Sequence, residues 1–292
     1  VLDWARTNLH YRDERGCESM LFDYPVFAAF DIYILNRPDA ENDYDEAIRR
    51  QAKDINSKLT DAQKEELAHN IIVVTQAFIN GTVDGNAPDY KRQFLNYLGT
   101  YKNIDRDKLR ENLAAFLNDV IPTAEENGIN MCIHADDPPF SLLGLPRIAS
   151  AVDDFLWIVD RHASLSNGIT FCVGSLSARS DNDLPEMARK LAPRIHFIHL
   201  RNTKTLEGRS FYESGHLAGN VDMFAVVKAL LDEQQRRIRE GRKDVGMPFR
   251  ADHGLRILGD FERKANPGYP LYGRMKGVSE IDGMQKAIER MY

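Results

Sequence analysis

Cysteine is scarce in this chain: only Cys17, Cys132 and Cys172 occur in 292 residues. Thiols so few and so widely spaced exclude a disulfide framework and fit a reducing compartment, so a cytoplasmic protein is expected. Long apolar runs are missing too. Nothing approaches the ~20 consecutive residues of a membrane span, and no signal peptide is expected at the start. Basic residues do not dominate, since 38 Lys and Arg stand against 44 Asp and Glu for a formal net charge of −6. That balance argues against a general binder of nucleic-acid backbones. The dinucleotide fingerprint Gly-x-Gly-x-x-Gly, the phosphate loop ending in Gly-Lys-Ser/Thr, and the zinc signatures His-Glu-x-x-His and Cys-x-x-Cys are all absent.

What is present is an ordinary globular composition, 43% hydrophobic and 28% charged, on a length that supports a large core. Thr60 before Asp61-Ala62-Gln63-Lys64-Glu65-Glu66 reads as a capped helix start. The stretch from Asn80-Gly81 to Pro88 reads as a loop rich in breakers. Lys108–Glu126 is amphipathic, with Leu109, Leu113, Phe116, Leu117 and Val120 on one face and Asn127-Gly128 as its stop. From there apolar runs alternate with helices. The runs are Ile129–His134, Gly168–Val173, Ile195–Leu200 and Met247–His253. The helices are expected around Leu145–Val159, over Asp183–Leu191, from Val221 towards Gly241, and near Ile281–Met291.

Strands buried on both faces that alternate with helices define an α/β fold with a parallel sheet. The opening Val1-Leu2-Asp3-Trp4 reads as the end of a fifth strand, so a longer polypeptide is expected to precede it. Five strands fall short of the eight of a (β/α)8 TIM barrel. The open doubly wound alternative lacks its fingerprints. The expectation is one TIM-barrel domain over residues 1–292, without its first three strands, and carrying a helical insertion at about 42–100. That insertion exceeds the usual short βα connection and is expected to cap the barrel mouth or build a contact in a homo-oligomer.

Each of the four later strands ends on a metal-ligand type: His134, Cys172, His199, and Asp252 beside His253. In a parallel barrel these ends converge on one mouth. A lone cysteine in an apolar strand is more often a core residue than a ligand, as Cys132 in its strand body is expected to be. Asp252 alone is as well read as a turn cap. Four such residues at equivalent positions carry more weight than any one. His196 is an odd number of positions from His199 and faces the other side, a structural place. His10, His69 and His162 read as solvated or loop histidines. A His/Cys/His/Asp set disfavours Mg²⁺ and Ca²⁺ and suits Mn²⁺, Fe²⁺, Co²⁺, Ni²⁺ or Zn²⁺. The loops after the strands are dense in polar residues: Asp136, Ser175, Arg179, Asp181, Arg201 and His216 among them. They suit a polyhydroxy acid, with arginines for its carboxylate and Asp or Asn for its hydroxyls. For Asp181 and Asp183, helix capping is an equally good reading.

In combination these residues resemble mannonate dehydratase, a metal-dependent hydro-lyase of hexuronate catabolism in the xylose-isomerase-like barrel group. The matching segments include Ala28–Pro38 (AAFDIYILNRP), His134–Pro139 (HADDPP), Leu142–Ile148 (LLGLPRI), Phe171–Ser175 (FCVGS) and Arg179–Asp183 (RSDND). His199-Leu200-Arg201, His216–Met223 (HLAGNVDM), Ala251-Asp252-His253-Gly254 and Asn266-Pro267-Gly268-Tyr269 complete the series in order. The resemblance implies His134, Cys172, His199 and Asp252 as ligands of Mn²⁺ or Fe²⁺, and His253 with Tyr269 as the proton-transfer pair. It implies conversion of D-mannonate to 2-keto-3-deoxy-D-gluconate and water. Ala135 and Ala251 depart from the prolines more usual at those places, and Asn220 from an aspartate. A sugar isomerase or epimerase on the same barrel is one rival, disfavoured by a cysteine ligand. A hydrolytic zinc barrel and a non-catalytic sugar-acid binding protein are the others.

Overall fold

The computed structural model describes residues 4–75 and 83–292; the strand end read at Val1–Asp3 and the Asn80-Gly81 loop start lie outside them. In chain order the strands are β1 (Asn8–Arg12), β2 (Glu18–Phe22), β3 (Met131–His134), β4 (Asn167–Cys172), β5 (Ile195–Leu200), β6 (Asn202–Thr205), β7 (Phe211–Ser214) and β8 (Phe249–Ala251). They form two four-stranded sheets, one parallel in the order β3-β4-β5-β8 and one antiparallel in the order β1-β2-β7-β6. The α/β architecture with a parallel sheet is therefore as expected. Among the described residues that sheet has two edges and is not closed.

The central strands β4 and β5 are buried almost throughout, whereas the edge strand β3 is half exposed and begins two residues later than its apolar run. Helices cover the parallel sheet. Arg106–Glu126 is capped by Asp105, which accepts from Lys108 N at 2.8 Å, and it stops before Gly128 at φ 64°. Leu184–Leu191 presents Leu184, Met187, Ala188 and Leu191 to the sheet, and Met223–Arg239 presents Val226, Val227, Leu230 and Leu231. Asp183 and Asp222 cap these two helices. At Thr60 the structure shows a complete capping box with Gln63.

A second core lies among the helices Tyr24–Ala29, Glu46–Lys58, Asp61–His69 and Tyr90–Gly99. It packs Phe27, Phe30, Ile71 and Phe94 against Phe211 of β7 and the Leu142–Leu145 loop after β3. None of the described helices is long and apolar enough to cross a membrane.

Two boundaries differ from expectation for identifiable reasons. The helix expected around Leu145 starts at Val152; Leu142–Leu145 is instead a tight turn, with Leu143 and Gly144 at positive φ and a bridge between its ends. The last helix starts at Leu271, not near Ile281. Gly273 and Gly277 obscure its pattern, yet both are packing requirements: a Cβ would strike the Leu255 carbonyl at the first and the His216 ring at the second. Pro270, at the N-terminus of this helix, supplies no side-chain cap. Buried Asp260 does so from a distance, accepting from Tyr272 N at 2.9 Å and Gly273 N at 3.0 Å. Replacing Asp260 by Ala leaves those donors unpaired, and a loss of about 1–3 kcal/mol is expected in urea unfolding, with an unchanged m-value.

Candidate metal centre and active site

The parallel register assembles the site. Cys172, the last residue of β4, lies opposite His199 on β5, and His199 lies opposite Arg250 on β8. His134 ends β3, the strand on the other side of β4. As a result one ligand atom each from His134, Cys172 and His199 lies within 4.8 Å of the others. His134 Nε2 and His199 Nδ1 are 3.2 Å apart. The Ala135 carbonyl accepts from His134 Nδ1 at 2.6 Å, which turns Nε2 towards the cluster.

The electrostatics suit a cation. Burial by itself raises the Cys172 thiol, but Arg201 and His134 outweigh it and hold the thiol well below its usual range. Burial likewise opposes a charge on His134, yet the Cys172 thiolate pushes that imidazole up to about 9. A buried thiolate beside two imidazoles is a donor set that fits a borderline-soft divalent metal.

Asp252, the expected fourth ligand, stands beside this trio. Its Oδ2 is 3.8 Å from His199 Nδ1 and 3.3 Å from Arg201 Nη1, and its Oδ1 is 2.8 Å from Arg250 Nη2. His253 and Tyr269 are together, with ring centroids 5.3 Å apart in an edge arrangement, and Trp4 lies 5.6 Å from His253 on another side. Burial and Asp252 raise the Tyr269 hydroxyl above its usual value, which keeps it protonated. Tyr269 also walls a cavity of ≈700 Å³ whose charged lining is Arg263, Lys264 and Arg274 with Asp260, the remainder being largely apolar.

The residues expected to bind substrate are dispersed. Ser175 Oγ lies 3.1 Å from Cys172 Sγ and 3.1 Å from Asp137 Oδ2, directly behind the cluster. Arg201 is buried at its edge, under Gly174, where a Cβ would collide with its side chain. Asp136 holds the following loop, accepting from Ala149 N at 2.7 Å and Ser150 Oγ at 2.8 Å. Arg179 and Asp181 pair with each other at 2.6 Å on the surface, beside a separate cavity of ≈370 Å³. His216 is buried against a cavity of ≈200 Å³ with Cys17 and Glu280, its Nε2 without a hydrogen-bond partner, and burial pushes its pKa down to about 4. His196 faces away from the cluster, as its parity predicts, and bonds the Leu165 carbonyl at 2.7 Å.

Sequence reasoning passed over a charged network behind the cluster. Arg6 pairs with Asp137 at 3.1 Å and with Glu213 at 2.6 Å, while Arg201 pairs with Asp137 at 2.8 Å and with Glu213 at 3.1 Å. Glu213 Oε1 is also 3.2 Å from His253 Nδ1. All four side chains are essentially buried. Asp137 stands inside the HADDPP motif and Glu213 shortly before His216, at the end of β7, but Arg6 carries no local signal.

The fold is of the parallel α/β class, and the nitrogen–sulfur cluster at its strand ends is one that could hold a metal ion. A family model described as D-mannonate dehydratase (UxuA) matches residues 1–292. Mannonate dehydratase of Rhizobium meliloti strain 1021 is 46% identical over 291 residues, which are 99% of this chain and 71% of that protein. Mannonate dehydratase 1 of Agrobacterium fabrum strain C58 is 46% identical over 292 residues, with 99% and 71% covered. The crystal structure of mannonate dehydratase from Streptococcus suis serotype 2 is similar at TM-score 0.67 and 29% identity, covering 99% of this chain and 64% of that one. The chain belongs to the D-mannonate dehydratase family, whose name denotes a hydro-lyase, as its motifs imply.

The charged network also sets a pH dependence. Burial opposes ionisation of Glu213, but Arg201 and Arg6 outweigh it and lower its pKa from 4.5 to about 2. In that interval the unfolded chain binds the proton and the folded one does not, so stability is full above about pH 4.5 and is lost towards pH 2. Thermal melts of the wild type and Glu213→Gln across this range are expected to converge as pH falls. Parallel curves would contradict the assignment.

Proposed function

We propose that this chain eliminates water from D-mannonate to give 2-keto-3-deoxy-D-gluconate, with His134, Cys172 and His199 holding Mn²⁺ or Fe²⁺ and Asp252 completing the ligand set. The observation that carries the reading is the convergence of three ligand atoms within 4.8 Å at adjacent strand ends, with His253 and Tyr269 beside them. A bound divalent ion supplies Lewis-acid stabilisation for negative charge on the substrate's oxygens. His253 takes the proton from C2, the C2–H electrons form the C2–C3 double bond, and the C3–O bond breaks. Tyr269 gives its proton to the departing hydroxyl, which leaves as water, and the resulting enol tautomerises to the 2-keto acid. Arginines at the positive cavity beside Tyr269 bind the carboxylate.

The placement of Asp252 favours a second assignment for that residue alone. It is engaged by Arg201 and Arg250 and lies outside the tight trio, so it serves either as the fourth ligand or as a group that acts on the substrate. The same reading keeps the TIM barrel, and the helices of residues 42–100 as a cap or a homo-oligomer contact. The three free cysteines support a cytoplasmic setting.

The test is a dehydratase assay on metal-stripped protein with D-mannonate and Mn²⁺, Fe²⁺, Mg²⁺ or no metal. Product is expected with Mn²⁺ or Fe²⁺ and not with Mg²⁺; no product with any metal from folded protein sinks the reading. Cys172→Ser is expected to lose metal and turnover together, whereas a sugar-acid binding protein would keep its ligand. Tyr269→Phe is expected to keep the metal and lose ~10²-fold or more in kcat, the usual scale for removing a general acid. Asp252→Asn decides between its two roles: metal is lost if it is a ligand and retained if it acts on substrate.

A further inference from the structure

The proton-transfer histidine is held by a group from the other sheet. Glu213 lies on β7, and its Oε1 accepts from Arg6 Nη2 at 2.6 Å and sits 3.2 Å from His253 Nδ1. Its Oε2 faces Arg201 Nε at 3.1 Å. Both partners are tied to the same antiparallel sheet. β7 is hydrogen-bonded to β2 and β6. The segment after His253 is stitched to β2 by two backbone bonds, Glu18 N to the Arg256 carbonyl at 3.1 Å and Arg256 N to the Glu18 carbonyl at 2.7 Å. Glu213 is therefore held on a strand ladder, and the segment that carries His253 is joined to the same sheet by a β-bridge three residues further on.

From this juxtaposition we infer that Glu213 is a positioning residue that commits His253 to the tautomer with its proton on Nδ1, leaving the Nε2 lone pair to receive the substrate proton. A carboxylate flanked by two arginines can only accept, so the Nδ1 facing it must carry hydrogen. The neutral ring is then basic at Nε2 alone. Arg6 and Arg201 neutralise Glu213, so the carboxylate orients the ring without competing for the proton that His253 takes up. Trp4 and Tyr269 pack on the ring and leave it little room to flip. The sequence supplies no hint of this pairing, because 40 residues separate the two. The inference rests on His253 as the base in the function proposed above.

Two measurements test it. The first is ¹⁵N histidine NMR of the unaltered full chain, without substrate, with the His253 signals assigned from their loss in His253→Gln. At a pH where the ring is neutral, hydrogen on Nδ1 is expected; hydrogen on Nε2 overturns the inference. The second is steady-state kinetics of Glu213→Gln loaded with metal. Gln keeps the shape but presents either an oxygen or an NH₂ group to the ring, so the tautomer is no longer imposed. A fall in kcat of roughly 10- to 100-fold is expected, with KM and bound metal within about twofold, at the lower end of what general acid–base groups contribute. An unchanged kcat in folded Glu213→Gln overturns the inference. If that variant does not fold, the NMR result on the unaltered chain decides alone. If the chain shows no dehydratase activity with any metal, the proposed function fails, and the tautomer still reports separately on the Glu213–His253 contact.

Discussion

A guanidinium that cannot reach water governs this site. Arg201 follows β5 of the parallel sheet and precedes β6 of the antiparallel one, at the point where the chain passes between them. Its side chain is buried, and a cation there is tolerable only if carboxylates surround it. Asp137 comes from the loop after β3, Glu213 from β7 and Asp252 from the end of β8. Each of these satisfies the arginine and is in turn fixed by it. The need to neutralise one buried charge thus pins three elements that are far apart in sequence, and these elements carry or adjoin His134, His253 and Tyr269.

The same cation shapes the cluster in front of it. Arg201 is the leading influence that keeps Cys172 a thiolate despite complete burial. Ser175 links the two layers, with its hydroxyl between the Cys172 sulfur and the Asp137 carboxylate. Gly174 completes the arrangement by its lack of a side chain, because any Cβ there would occupy the space of Arg201. Three of the five positions in the motif Phe171-Cys172-Val173-Gly174-Ser175 are thereby explained. Cys172 supplies the sulfur, Gly174 admits the arginine, and Ser175 bridges the sulfur to the Asp137 carboxylate.

What the sequence made legible follows from the range of the forces involved. Capping at Thr60 and Asp183, and the helix ending at Gly128, depend on neighbours a few residues away and were readable. The cluster of His134, Cys172 and His199 was readable because parallel strands of similar length end at one level. The antiparallel sheet was not, since Asn8–Arg12 alternates over only five residues and Asn202–Thr205 is short and wholly polar. Each is the outer strand of a local hairpin, and the two hairpins become one sheet only through the distant pairing of β2 with β7, as in the contact of Leu21 with Tyr212. Arg6 was illegible for the same reason: nothing near Ala5 or Thr7 reveals that its partners are Asp137 and Glu213. Conversely, Arg179 and Asp181 looked like binding residues in a polar motif, while the fold turns them towards each other at the surface.

The two sheets divide the chemistry between them. The proposed ligand atoms stand on the parallel strands, where register sets their separations. The proposed proton-transfer groups belong to the segment after β8, which is tied to the antiparallel sheet at Arg256 and packed against Trp4. A proton can move between a substrate held at one set and a base held at the other only if the sheets keep a fixed relation. Asp252 lies on that seam, close to His199 on one side and adjoining His253 on the other. Its two candidate roles follow from that position, because any residue that joins the two halves must touch both the ligands and the base. The network around Arg201 holds the seam shut, so a charge with no direct part in the reaction sets the geometry in which it occurs.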